Sequence, residues 1–315
     1  MTVLEQLLAD TTAGDPITGA KWTRQTLRQL SRELLRKGLR VGRNTLRRLL
    51  KARHYALHAN RKRLTHESNP DRDRQLRYIA RWRRRFQKAG KPVISVDAKK
   101  RELVGNFKNA GRTWRQCPQD VLETDFRSDA KGIALPYGIY DLARNAGYVV
   151  VGVSHETAAF AITAIRTWWI EVGQVAYPDQ QQLLIHADDG GANDSRSWLW
   201  KAGVQALADE FGLTITVTHY PAGASKWNPI EHRLFCFISL NWAGQPLVSY
   251  ATILNFIRTT HTESGLSCQA RLDRTRYETG LKITAEEKAN INLKRRRLFP
   301  NWNYTIAPRV SEHMK

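Results

Sequence analysis

Asp97, Asp188 and Glu231 are the residues of this 315-residue chain best placed to do chemistry together. Asp97 ends the short β-branched run Val93–Val96, so a buried strand would carry a carboxylate at its tip. Asp188 follows the apolar run Leu183–Ile185 after His186 and Ala187, and Glu231 lies 43 residues further on within a helical pattern. Carboxylates are hard oxygen donors, the ligands that Mg²⁺ and Mn²⁺ prefer. Three of them converging could hold two Mg²⁺ ions about 3.5–4 Å apart, a device that activates an attacking oxygen and stabilises a leaving oxygen on one phosphorus. Asp97 would bridge both ions, with Asp188 on one and Glu231 on the other. Asp189 stands directly beside Asp188 and could share its role or raise its pKa.

These acids are remote along the chain, so a fold must bring them together. After Gly90, Lys91 and Pro92, strands are expected at Val93–Val96, Glu102–Phe107, Leu135–Tyr140 and Tyr148–Val153, with polar turns such as Asn145, Ala146 and Gly147 between them. A helix is expected over Glu156–Val172, with Phe160, Ile165, Trp168 and Trp169 in the core. Strand and helix then alternate: Leu183–Ile185, Ser195–Phe211, Leu213–Thr218 and Asn228–Trp242. The order matches an α/β, RNase H-like mixed sheet with flanking helices, in which the first and fourth strands are neighbours. Simpler roles exist for each acid. Asp97 could pair with Lys99 or Lys100, Asp188–Gly191 could be a plain turn, and Asn228–Glu231 also spells a capping box with proline at the first helical position. Lys226 and His232, beside Glu231, could contact phosphate.

The region ahead of this sheet is basic. Between Lys21 and Gly90 lie 23 of the 50 Lys and Arg residues against four acids, so most of the chain's formal charge of +21 sits there. Such a density argues for a polyanionic partner. Leu27, Leu30, Leu34 and Leu35 recur at helical spacing between Trp22 and Lys37, Gly38 ends that helix, and Leu46, Leu49 and Leu50 form the apolar stripe of a second one. Two helices joined by a tight turn read as an all-α helix-turn-helix, an alternative being an ordinary helical hairpin with a charged exterior. Arg43, Asn44, Arg47, Arg48 and Lys51 on the second helix are the DNA-contact candidates, and Arg61, Lys62 and Arg63 suit a linker along phosphates. A third basic helix, with Leu76, Ile79 and Phe86 at helical spacing, is expected to lead into the sheet. The late run Lys294–Arg297 could touch DNA or a partner subunit, or form a solvated face.

Composition narrows the class. A hydrophobic content of 42% can supply a sizeable core, and no run of about 18 uncharged apolar residues suggests a membrane span. Cys117, Cys236 and Cys268 lie far apart without a CxxC pair, which speaks against a disulfide framework or a cysteine zinc site. A cytoplasmic protein, nucleoid-associated when bound to DNA, is expected.

Three stretches carry a resemblance: ISVDAKKRELVGNFKNAGRTW from Ile94 to Trp114, HADDGGANDSR from His186 to Arg196, and HYPAGASKWNPIEHRLFCFI from His219 to Ile238. The chain resembles the bacterial insertion-sequence transposases of the ISAzo-thirteen type, with the Rhodopirellula-type DDE domain of the mariner-like superfamily, from about Trp22 to Ile306. That resemblance implies a catalytic triad of Asp97, Asp188 and Glu231, DNA strand cleavage and strand transfer, and recognition of terminal inverted repeats by the basic helices. It implies double-stranded DNA as partner, both transposon ends and target, with a homodimer or higher oligomer on DNA. Asp189 stands where relatives tend to have glycine, and relatives carry more sequence ahead of the basic helices, so a shortened copy is one expectation. The expected division is a lead-in at 1–20, the helix-turn-helix and basic linker at 21–67, a connecting helix at 68–90, the RNase H-like domain at 91–265 and an extension at 266–315. The rival is a DNA-binding protein without catalysis, such as a repressor, and a ribonuclease H acting on hybrids is a third reading.

Overall fold

The computed structural model describes residues 25–57 and 70–309, with short pieces at 3–4, 6–7, 12–14 and 21–23. The chain divides into two compact units, Met1–His66 and Glu67–Lys315. Arg61, Lys62 and Arg63 lie outside the described residues.

In the first unit, helix α1 spans Leu27–Arg36 and helix α2 spans Arg43–Ala52. The Thr26 hydroxyl accepts from the Gln29 amide, and the Gln29 side chain accepts from the Thr26 amide, which fixes where α1 starts. Trp22 consequently lies outside α1, in a short strand Lys21–Thr23 paired with Thr12–Gly14. Gly38 ends α1 at φ +80°, a left-handed conformation that a side chain resists. Ser31 Oγ donates to the Val41 carbonyl and clips the turn. Leu30, Leu34 and Leu46 meet Leu4 and Leu7 in one small core, with Leu27, Leu49 and Leu50 at its margin. Leu35, expected on the apolar stripe, is instead 58% exposed, because it follows Leu34 by one residue and is turned about 100° away from the core. Two short helices joined by this tight turn are compatible with a helix-turn-helix region.

The second unit is a three-layer α/β/α structure. Helix α3 (Arg72–Lys88) precedes strands β1 (Val93–Ala98), β2 (Glu102–Val104), β3 (Gly132–Asp141) and β4 (Ala146–Gly152). Helix α4 (Ala158–Trp168) continues as a π turn over Trp169–Gly173, and is followed by β5 (Gln182–Ala187), α5 (Trp198–Phe211) and β6 (Thr214–His219). A π turn at Glu231–Phe235 runs into α6 (Cys236–Asn241), and α7 (Tyr250–Arg258), β7 (Ser267–Asp273), α8 (Ala285–Ala289), β8 (Leu293–Arg295) and β9 (Asn303–Ile306) complete the unit. Nine strands form one mixed sheet in the order β8-β9-β6-β5-β1-β3-β4-β7, with β2 paired to β3. Its centre, β4-β3-β1-β5-β6, is RNase H-like: three antiparallel strands, then two added parallel to β1.

Strand alternation sorts the sheet residues onto two cores. Ile94, Val96, Ile185 and Ala187 pack under α4 and α5 with Phe160, Trp168, Trp169 and Trp200. Val93, Val149 and Leu184 face the other way, against Phe86 of α3, Leu234 and Phe235 of the π turn, and Ile253 and Ile257 of α7. Trp168 and Trp169 are core residues, as their helical spacing predicts. Residues beyond Leu266 supply strands at both edges of the same sheet.

Candidate active site

The first acid pair is a product of register. β1 and β5 are parallel neighbours, with Ser95 opposite His186 and Val96 opposite Ala187. One step further along that ladder are Asp97 and Asp188, so both carboxylates emerge at the same sheet edge. Asp97 stands four residues after Val93 and Asp188 four after Leu184, and side chains of equal parity along a strand point to the same face. On that face sits the third acid. Glu231 opens the π turn after β6, and π turns inside helices recur at functional sites.

The turn comes close because two strand residues, Gly138 and Gly147, lack side chains. Gly138 is the cross-strand partner of Asp97, and a Cβ there would lie 2.6 Å from Phe235 Cε1 and 2.9 Å from Ile230 Cδ1. Asn228 then links turn to strand: its Nδ2 donates to Asp97 Oδ2 at 2.9 Å, and its Oδ1 accepts from Ser95 Oγ at 2.6 Å. Both side-chain atoms of Asn228 are thus committed to β1, and the capping box suggested by Asn228–Glu231 does not form. Glu231 makes no side-chain hydrogen bond and no ion pair among the described residues.

Asp188 is held from two sides. Asn193 Nδ2 donates to Asp188 Oδ1 at 2.8 Å, and Tyr137 donates its hydroxyl to Asn193 Oδ1 at 2.7 Å. His219 lies with Nδ1 2.9 Å from the Asp188 carbonyl and Nε2 3.0 Å from the Tyr304 hydroxyl. Burial lowers the His219 pKa to about 4, so the ring is neutral. A neutral ring that donates from Nδ1 must accept at Nε2, which makes Tyr304 the donor there and Trp200 Nε1 the donor to the Tyr304 oxygen. Asp189 has a different occupation. Its Oδ1 accepts from the Ser195 amide at 3.0 Å and its Oδ2 from Trp302 Nε1 at 2.8 Å, so both oxygens serve the loop.

Electrostatics tie the acids to one another. Asp97 is 9% exposed, and burial, then Asp188, then Glu231 push its carboxyl up to about 8. Asp188 is pushed up to about 6, chiefly by burial, against the lowering effect of Asn193. A fourth carboxylate, Glu156, raises both. It follows β4, packs against the loop at Gly191, where a Cβ would collide with Glu156 Oε1, and lies 3.8 Å from Arg101. Sequence reading placed Glu156 only at a helix start. Its spacing gives no signal, since it approaches Asp188 through the crossing of two loops.

The donor set is all carboxylate, and neither Asp97, Asp188 nor Glu231 has an ion-pair partner among the described residues, which suits a hard divalent cation. No three His, Cys, Asp or Glu side chains among the described residues close around a single ion position. Of the other predicted residues, Arg43, Asn44, Arg47, Arg48 and Lys51 belong to α2 of the first unit and are exposed. Lys226 is exposed just ahead of Glu231, with Nζ 5.8 Å from the Trp227 ring, and its carbonyl lies 2.7 Å from His232 Nε2.

Strand order defines the class of this protein, an RNase H-like fold, with acids at the ends of β1 and β5. The family model described as the Rhodopirellula transposase DDE domain matches residues 3–308, and the chain belongs to that family. Among solved structures, it is similar to the Mos1 transposase paired-end complex with left transposon end, at 15% identity and a TM-score of 0.46, over 80% of this chain and 68% of that one. It is also similar to the Mos1 mariner paired end complex with Mn (16% identity, TM-score 0.43, 80% and 68% covered). The same complex with Mg gives 13% identity and a TM-score of 0.45 over the same shares. No curated protein matches the chain in sequence. Among the described residues, no helix is long and apolar enough to cross a membrane.

Proposed function

We propose that the chain is a DDE transposase that binds the ends of its element and carries out metal-dependent DNA strand cleavage and strand transfer, with Asp97, Asp188 and Glu231 as its catalytic carboxylates. The observation that carries this reading is the convergence of cation-free acids: Asp97 and Asp188 follow paired positions of the parallel strands β1 and β5, and Glu231, on the turn after β6, is close enough to act on Asp97. Two divalent ions, Mg²⁺ or Mn²⁺, held by these residues would supply the charge that activates the attacking oxygen and steadies the leaving oxygen. The chain's own contribution is placement. Asn228 fixes Asp97, Asn193 and His219 fix Asp188, and the loop bonds of Asp189 leave Asp188 as the acid that faces Asp97.

In this reading water attacks first, breaking the P–O3′ bond at the element's end, and the freed 3′-hydroxyl then attacks a phosphorus in target DNA, displacing that strand's own 3′-oxygen as a new 3′-hydroxyl. Arg43, Asn44, Arg47, Arg48 and Lys51 read the terminal repeats from a helix in the major groove, while Arg61, Lys62, Arg63 and Lys226 hold phosphates. Pairing two ends calls for at least a dimer. The test uses the full chain and a duplex carrying the inverted repeats that flank its reading frame. Nicking in Mg²⁺ or Mn²⁺ is expected, and Asp97→Ala should lower it at least about a thousandfold while leaving DNA affinity within about twofold. Binding without nicking by the unaltered chain would leave a DNA-binding protein without catalysis.

A further inference from the structure

We propose that an arginine trough on the second unit binds the sugar-phosphate backbone of duplex DNA, independently of the helix-turn-helix. The inference rests on the reading that the chain works on DNA, but not on its catalytic residues. The trough contains a cavity of about 650 Å³ between α3 and the segment after β8, bordered by Arg74, Arg81, Arg85, Arg296 and Arg297 around Trp82. A second cavity of about 280 Å³ shares Trp82, Arg85 and Arg296 and adds Lys91. Six cations therefore border one depression, and no acidic side chain lines it.

Few of the cations are neutralised, although Arg296 Nη2 donates to Thr305 Oγ1 and Lys91 Nζ to Gln182 Oε1. Among the described residues only Arg74 has an ion-pair partner, Asp71 at 3.5 Å. Arg296 has its Nε buried without a hydrogen-bond partner. A buried guanidinium donor left unpaired costs free energy that an incoming anion would recover.

Geometry selects the kind of anion. Positions 74, 78, 81 and 85 form one stripe of α3, and Arg74 and Arg85 are about 16 Å apart along the helix axis. One DNA strand presents a phosphate every 3.4 Å of duplex axis, so the stripe spans about five of them. The guanidinium groups of Arg296 and Arg85 already lie 4.9 and 5.4 Å from the Trp82 ring centre. The ring therefore holds the arginines in place instead of offering a platform to a base, and the trough presents N–H donors for backbone contacts without sequence preference. Its position fits DNA passing to the acids: Gln75 of α3 donates to the His219 carbonyl, and Trp302, five residues beyond Arg297, donates to Asp189.

The test measures full-chain affinity for a 40-base-pair duplex lacking the terminal repeats, across a salt series. Replacing the exposed Arg81, Arg85 and Arg297 by Gln should reduce the slope of log K against log salt by about 2 to 3, and Arg81→Gln alone by about 1. A control with Arg112, Arg127 and Arg276 changed to Gln removes the same charge from other exposed positions and should leave the slope nearly unchanged. An unchanged slope in the trough variants, with the melting temperature retained, overturns the proposal. So does an equal fall in the control, which would reflect net charge alone, or poly-glutamate displacing the probe better than unlabelled duplex, which would indicate a site for acidic protein. Cleavage is not read out, so loss of the trough and loss of the catalytic reading are separate results.

Discussion

Asp97 carries its proton to about pH 8 in the folded chain, because burial and the neighbouring Asp188 and Glu231 disfavour the anion. In the unfolded chain the same group ionises near 3.8. The stability that this proton supplies is complete below about pH 3.8 and is lost as pH rises through about 8. Asp97→Asn cannot ionise and escapes that loss. With divalent ions chelated, it should melt with the unaltered chain at pH 4 but at least about 3 °C higher at pH 8, the effect of about one pKa unit on a unit of this size. A melting difference that stays constant across this range would show that the acids do not repel one another. Glu156→Gln should move melting in the same direction by a smaller amount, since Glu156 is the weakest of the neighbours acting on Asp97.

Elements set the approach of the third acid. Glu231 reaches the sheet because the π turn lies flat on Gly138 and Gly147, where any Cβ would strike Phe235, Ile230 or Leu234. Gly138→Ala leaves every acid in place chemically but drives Phe235 and Ile230 outward, moving the turn that carries Glu231. A destabilisation of about 1–3 kcal/mol is expected by urea unfolding. Nicking should fall far more than in an equally destabilised variant altered in the α4–α5 core, such as Ile165→Val. Equal losses in the two would mean that the turn's position does not matter for activity. The helices themselves were largely legible. Ser197 and Thr157 cap α5 and α4 near the expected starts, and Gly212 closes α5 in the left-handed conformation. The π turns were not, because a π and an α turn share nearly the same apolar spacing over five residues.

At the scale of the molecule, the second unit has apolar cores on both faces of its sheet, whereas the first has five buried leucines among its described residues. The fragment Glu67–Lys315 should therefore fold alone, with a melting temperature within about 3 °C of the main transition of the full chain, while losing selectivity for the terminal repeats. Failure of the fragment to melt cooperatively would show that the sheet needs residues 1–66. Ending the chain at Gly265 is a different matter. β7 and β9 would be lost, and with them Tyr304 and Trp302, the side chains that hold His219 and Asp189. Such a fragment should not fold cooperatively.

The sequence by itself determined the identity of strands β1 to β6, the acids after β1 and β5 and the concentration of charge ahead of them, because apolar periodicity, turn residues and charge are local properties, whereas β7, β8 and β9 went unread. The expected strand order also placed the first and fourth strands side by side, so that Asp97 and Asp188 could meet. Only the tertiary structure decided that Glu156 stands among the acids, that Asp189 is spent on Trp302, and that Arg296 closes a trough with α3. Each of those depends on segments distant in the chain meeting across the sheet or at its edge, and no local pattern encodes which distant residue will arrive.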